Sequence, residues 1–456
     1  MVLSFFSASC IHYLFQFHLK KVLIITYYWP PSGGAGVQRW LKFVKYLRKF
    51  DWEPIVFIPE NPEYPMLDDS FEKDIPADLT VIKCKIWEPY GFYKRLIGQK
   101  QSERVVSGVL QEQKRKGWAQ KLALWIRGNL FIPDARKFWI NPAAHHLINY
   151  LKNNPVDVIV SNGPPHSMHL IARKVKKATG LPWLADFRDP WSNIDFAEEL
   201  SMSRWAKHQN KKLEKLVLQE ADVITVVGDW MKKEFSVLTS KPIEVITNGY
   251  DTADFENWKH IKPNENEFTI VHTGSLNQHR NQPVLWEALS ELINENEAIA
   301  SQLKIKLIGK TDQSVHQSID MAGLTKFTEF IDYIPHAAII EEQRKAHILF
   351  LSINNYGQTN QSFLSPKATL TGKVFEYFAA ERPILMIGPK DGQLATIVCQ
   401  LNPMHQVVDF YDAKACKESI ILLFKQKQNP IIFDNDLYSR KKLTENMSKL
   451  LNSISK

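Results

Sequence analysis

Several protein classes are made unlikely by what the 456-residue chain does not contain. Its four cysteines, Cys10, Cys84, Cys399 and Cys416, lie far apart and form no Cys-x-x-Cys pair. That argues against a disulfide framework or a zinc ribbon and fits a reducing compartment. No run of about 18 apolar residues is present, so no transmembrane helix is expected. No His/Cys/carboxylate group has the spacing of a tight metal site, and no Gly-x-Ser-x-Gly or Cys–His pattern points to hydrolysis. No nucleic-acid motif accompanies the basic residues, so nucleic acid is not an expected partner. Residues 1–19 are apolar but lack a basic leader and a cleavage site. They read as an N-terminal extension, with the folded chain starting near Lys20.

What remains is an ordinary globular composition, 44% apolar and 23% charged, at a length that implies two domains. The net charge is +8. One segment matches that whole excess: Tyr90 to Lys137 carries 11 Lys or Arg against 3 Asp or Glu. Aromatic and aliphatic residues are interleaved with the charges, including Tyr90, Phe92, Trp118, Trp125 and Phe131. Two readings stand side by side, a face for an anionic membrane surface and a solvated lysine-rich insertion.

Val22-Leu23-Ile24-Ile25-Thr26 reads as a strand. It runs into Pro30-Pro31-Ser32-Gly33-Gly34-Ala35-Gly36, after which Val37, Trp40, Leu41, Val44 and Leu47 recur at helical spacing. A strand, a glycine turn and a helix start expose backbone N–H groups at the positive end of a helix dipole, a place suited to an anion. The spacing is not that of Gly-x-Gly-x-x-Gly, and no Lys-Ser/Thr follows as in a P-loop. Further strands are expected at 54–59, 156–161, 183–186, 221–227 and 243–246. A polar linker follows at 251–267. The alternation then restarts with Phe268–Gly274, a second strand-then-glycine join, and continues with strands near 304–308, 347–352 and 384–387. A C-terminal helix is expected near 437–451. Strand–helix alternation in both halves predicts an α/β protein of two Rossmann-like domains facing across a cleft, with ligands at the carboxyl ends of the strands.

In Thr371-Gly372-Lys373-Val374-Phe375-Glu376, Lys373 and Glu376 are three apart and share one face of a helix start. Lysine suits a phosphate and the carboxylate suits sugar hydroxyls. An exposed salt bridge is the alternative.

On these residues the chain resembles the GT-B glycosyltransferases of the family-four type, retaining enzymes that use nucleotide sugars. The stretch Gly372–Leu385 is similar to that family's donor-binding helix and the turn that follows it. The Gly33-Gly34 loop is similar to its N-terminal glycine loop. Asn248-Gly249-Tyr250-Asp251 resembles its hinge, and His272-Thr273-Gly274 its first C-domain strand. Asp186-Phe187-Arg188-Asp189-Pro190-Trp191 looks like a signature of a bacterial surface-polysaccharide branch.

The resemblance implies an acceptor domain over residues 20–250, with the basic insertion at about 90–137, and a nucleotide-sugar donor domain over 268–456 that includes the C-terminal helix. It implies Arg280, Lys373 and His166 as catalytic residues, and Gly33, Gly34, Gly274, Lys310 and Glu376 at the donor. Asp186, Arg188 and Asp189 would sit at the acceptor. The first glutamate of the family's Glu-x7-Glu pair falls on Ala368, and its usual arginine position on Ser275. No metal and no cofactor is implied, the nucleotide sugar being a substrate. The acceptor would be lipid-linked or a glycan. The location would be cytoplasmic, peripheral to the inner membrane face if the basic segment docks there. A nucleotide-sugar 2-epimerase of the same architecture and a catalytically silent glycan-binding protein are the alternatives.

Overall fold

The computed structural model describes residues 19–89, 118–192, 201–356, 366–427 and 436–455. The extension at 1–18 and the basic stretch 90–117, with Lys114, Arg115 and Lys116, lie outside the described residues. Among those described, no helix is long and apolar enough to cross a membrane.

Two parallel sheets form the frame. The first holds β1 (Lys20–Ile25), β2 (Trp52–Pro59), β3 (Thr80–Cys84), β4 (Val158–Gly163), β5 (Trp183–Phe187), β6 (Val223–Val226) and β7 (Ile243–Val245) in the order β3-β2-β1-β4-β5-β6-β7. The second holds β8 (Phe268–Thr273), β9 (Leu303–Ile308), β10 (Thr328–Ile331), β11 (Ile348–Ser352), β12 (Ile384–Ile387) and β13 (Gln406–Val408) in the order β10-β9-β8-β11-β12-β13. The central strands are nearly continuous runs of Val, Ile and Leu because helices cover both faces. Val22 to Ile25 and Ile348 to Leu351 are all buried.

Six helices matter to the site: α1 (Ala35–Leu47), α2 (Trp118–Leu130), α3 (Ser167–Thr179), α4 (His336–Lys345), α5 (Lys373–Ala379) and α6 (Arg440–Ile454). The apolar stripe of α1, from Val37 through Trp40, Leu41 and Val44 to Leu47, faces the first sheet.

The C-terminal helix departs from the sequence expectation. Leu443, Met447 and Leu451 of α6 pack with Trp40, Val44 and Val22, so the chain crosses back onto the first domain. Its apolar residues at i, i+4 and i+8 predict a helix, and the stripe fits against any matching partner. The stretch 251–267 also differs from a plain linker. Asp251 is buried, Thr252–Phe255 is a helical turn capped by Asp251, and Phe255 belongs to the core of the second domain.

Candidate active site

The loops after β1, β4 and β5 carry the first domain's candidate residues, and those after β8 and β9 carry most of the second's. This is the carboxyl edge of each sheet, where open α/β folds bind ligands.

In the second domain, Gly274 follows β8 at φ +95° and Gly309 follows β9 at φ +114°. The Gly274 N–H donates to Ile308 O at 2.7 Å. A Cβ on Gly309 would lie 2.9 Å from Gly274 O, so glycine lets the two strand ends close together. The neighbouring Lys310 carbonyl accepts from Leu276 N at 2.9 Å, while the Lys310 side chain lies exposed.

Lys373, the first residue of α5, lies over Gly274. Its Nζ stands 3.4 Å from His272 Nε2, and His272 Nδ1 stands 3.0 Å from Phe350 O. The Nδ1–H thus donates to the carbonyl, and the Nε2 lone pair is turned to the ammonium. Burial and the nearby Lys373 charge hold the His272 pKa well below the usual imidazole range. Burial, helped by the Arg280 charge and opposed by Glu376, pushes Lys373 down to about 7. Arg280 donates from Nε to Asn354 Oδ1 at 3.0 Å and from Nη1 to Ser275 O at 3.4 Å. Two cationic side chains therefore share one glycine-lined strand end, an arrangement suited to an anion.

Glu376 Oε1 lies 3.3 Å from His336 Nε2. Burial favours the neutral acid, but the His336 hydrogen bond and charge outweigh it and hold the Glu376 pKa below the usual range. The same bond raises His336 against its own burial. His336 packs beside Phe71 of the first domain, with ring centroids 5.7 Å apart, and Tyr333 OH donates to Asp68 Oδ2 at 3.0 Å. The turn before α4 thus joins the two domains. Ala368 ends a short 3-10 turn, half a helix away in sequence, and brings no polar side chain.

The first domain requires two corrections. The Gly33 N–H is already used, donating to Met66 O at 2.9 Å, while Ser32 bridges to Leu67. Gly33 therefore anchors the loop and offers no donor to a ligand. Gly34, at φ +83°, has open space where a side chain would stand, and α1 begins there with no side-chain cap. Asp186 is the second correction. It is fully buried and accepts from Arg39 Nε (2.9 Å), Arg39 Nη2 (2.8 Å), Trp40 Nε1 (2.8 Å) and Thr225 Oγ1 (2.7 Å). A carboxylate so enclosed is a core bolt between β5 and α1, out of reach of an acceptor.

Arg188 is a brace as well. It donates to Gly36 O at 3.0 Å and to Pro164 O at 2.8 Å, tying the glycine loop to the turn after β4. Asp189 is exposed, yet desolvation by the surrounding protein raises its pKa against the pull of Arg188. Of the acidic pair it alone presents an open carboxylate.

His166 stacks on Trp191 with centroids 4.6 Å apart and planes at 3°. Burial keeps it neutral, its pKa well below the usual value. A Cβ on Gly163 would lie 3.0 Å from His166 Nδ1 and 2.4 Å from His169 Nε2. His169 went unread in the sequence. Its Nδ1 lies 2.8 Å from Ser161 Oγ, which also accepts from Trp183 Nε1 at 2.8 Å. Its only sequence signal is a position three residues after His166, on the same face of α3.

A buried ionic cluster also went unread. Lys42 Nζ lies 2.7 Å from Asp74, 2.8 Å from Asp251 and 2.8 Å from Asp254. Lys45 Nζ reaches Asp74 and Asp251 as well, and Tyr46 OH donates to Asp251 Oδ1 at 2.6 Å. The three carboxylates have ligand atoms within 4.8 Å of one another, an arrangement able to hold a cation. The Lys42 ammonium is that cation, and it ties α1 to the hinge.

Residues 108–254 match the family model described as Glycosyltransferase Family 4. No curated protein sequence matches the chain. Solved structures of similar fold include Alr3699/HepE of Anabaena in complex with UDP-glucose, at 13% identity over 95% of this chain and 97% of that one, with a TM-score of 0.51. A TarM variant of S. aureus, solved with fondaparinux, alpha-GlcNAc-glycerol and UDP, is 11% identical over 95% and 100% of the two chains, with a TM-score of 0.54. A Listeria monocytogenes protein assigned as a UDP-N-acetylglucosamine 2-epimerase is 12% identical over 95% and 96%, with a TM-score of 0.53. The fold is GT-B: two parallel α/β domains arranged as in these proteins.

Proposed function

We propose that the protein is a glycosyltransferase that moves a sugar from a nucleotide-sugar donor to a lipid-linked or glycan acceptor with retention of configuration. The observation that carries this reading is the placement of Lys373 and Arg280 at the glycine-lined end of β8, with Glu376 one turn along α5. Departure of a nucleoside diphosphate builds negative charge on the leaving oxygen. In this reading Lys373, Arg280 and the open N-terminus of α1 after Gly34 stabilise such charge. Loss of one such donor is expected to cost about 3–4 kcal/mol of transition-state stabilisation. Glu376 takes the ribose hydroxyls once His336 yields to them, and Asp189 orients the acceptor. His166, neutral and fixed on Trp191, supplies a hydrogen bond to the donor sugar. This reading assigns no step to a metal; among the described residues the acidic cluster that could hold one is occupied by Lys42.

A screen of UDP-, GDP-, ADP- and CMP-sugars by thermal shift and donor hydrolysis tests it. At least one donor should stabilise the protein, and Glu376→Ala should weaken that donor's binding. If no nucleotide sugar binds and Glu376→Ala changes nothing, the reading fails. An epimerase would interconvert donor epimers without an acceptor, which the same assay separates.

A further inference from the structure

Arg440, the first residue of α6, is 4% exposed. Its backbone N–H donates to Tyr250 O at 2.7 Å, which nails the start of the helix to the hinge. Gly249 makes that contact possible, because a Cβ there would lie 2.2 Å from Tyr438 O and 2.5 Å from Leu443 Cδ1. Its guanidinium, in contrast, makes no hydrogen bond or ion pair among the described residues, and Nη1 is enclosed without an acceptor. Thr247 Oγ1, in the same hinge, is likewise enclosed without a partner. Buried polar groups are nearly always satisfied, and an unpaired buried charge is among the most unfavourable arrangements a fold can hold.

The neighbouring carboxylates do not answer the need. Asp251 and Asp254 are held by Lys42, and Glu376 by His336. Arg39, whose Nη1 donates to Thr247 O at 2.9 Å, brings a second guanidinium to the same hinge, and its own carboxylate partner is Asp186. Burial and the Arg39 charge pull Arg440 down to about 9 against the opposing charges of Glu376, Asp251 and Asp254, and none of these carboxylates forms an ion pair with its guanidinium among the described residues.

We propose that the hinge holds a second anion site, in which Arg440 and Thr247 bind a phosphate or carboxylate group between the crossing helix α6 and the hinge. It lies within electrostatic reach of Glu376 but does not use Lys373 or Arg280. It sits where residues packed on the first domain meet those that lead into the second, so its occupancy bears on the relation between the domains. It stands independently of the transferase reading.

The test uses the full chain and a thermal-shift titration at constant ionic strength, with inorganic phosphate in one arm and glucose 6-phosphate in the other. Wild type should gain several degrees in a saturable manner. Lys373→Ala should keep that gain and Arg440→Met should lose it. Without added anion, Arg440→Met should melt no lower than wild type, because it removes an unpaired buried charge. Arg440→Lys, which keeps the charge without the planar fork, should bind at least about tenfold more weakly and serves if the methionine variant does not fold. A tenfold preference for the sugar phosphate would mark a substrate-borne group, and equal response a free ion. An unchanged gain in Arg440→Met, or no gain in wild type, overturns the site and leaves water as the occupant of the hinge.

Discussion

Lys373 occupies the space that a side chain at Gly274 would need: a Cβ at position 274 would lie 2.6 Å from Lys373 Cε and 2.7 Å from its Nζ. The glycine is required twice over, by its φ of +95° and by the lysine lying across it. Gly274→Ala should therefore push the ammonium aside while the flexible stem absorbs the clash. We expect donor turnover to fall by about 10²-fold or more, and stability by only about 1–2 kcal/mol from the strained backbone. Donor hydrolysis and urea melts on the same preparation check this. Full turnover in the alanine variant would detach Lys373 from the chemistry.

The depressed Lys373 pKa, about 7, gives donor binding a pH dependence. A phosphate needs the ammonium form, so a donor should bind with uptake of a proton. Above about pH 7 the affinity should fall, by up to tenfold per pH unit. Calorimetry in two buffers of different ionisation enthalpy measures the uptake directly. Lys373→Arg should flatten the profile, and a flat wild-type profile from about pH 6.5 to 8.5 would refute the assignment.

Removing Lys42 should leave Asp254 without its ion pair and Asp74 and Asp251 with Lys45 as their one cation among the described residues. We expect Lys42→Ala to destabilise the protein by about 3–5 kcal/mol, as for other broken buried ion pairs. Millimolar Ca²⁺ should recover part of that loss in the variant and do nothing for wild type, because Asp74, Asp251 and Asp254 would then be open to a metal. Thermal melts with and without Ca²⁺ decide it.

An aromatic face flanks the basic stretch. Trp87 and Phe138 pack edge-to-face at 4.9 Å yet are 62% and 42% exposed, and Trp125 and Leu130 of α2 are 44% and 52% exposed. Lys83 and Lys85 precede Trp87 in the chain, and Lys137 precedes Phe138. If this face meets an anionic bilayer, Trp87→Ala/Phe138→Ala should cut sedimentation with phosphatidylglycerol vesicles by about tenfold or more. Binding to phosphatidylcholine vesicles should be weak from the start. Equal sedimentation of variant and wild type would rule out this face.

Much of the frame is legible in the chain itself. β1, β5, β8 and β12 are short apolar runs closed by a turn or glycine, and a two-sided buried strand needs nothing more to be read. β3, β10 and β13 escape notice because edge strands bury less: Glu329 and Phe330 of β10 are both exposed, so no apolar run marks them. The Lys373/Glu376 spacing and the glycines at 274 and 309 are visible too, since helix geometry and positive φ are local properties.

Partner choice is not local. Nothing in Asp186 itself says that it faces Arg39 and Trp40 in the core, while Asp189, three residues on, stays open. Nor does the apolar stripe of α6 say which domain it covers. The strand and helix periods, the glycine joins and the two-domain length are written in residue order, because backbone geometry repeats along the chain. Only the tertiary structure decided that Lys42 closes an acidic trio, that Gly33 spends its N–H on Met66, and that Arg440 lies buried at the hinge without a partner. Those outcomes depend on which residues, some 30 to 210 positions apart, are brought within hydrogen-bond reach, and on the dielectric in which they meet.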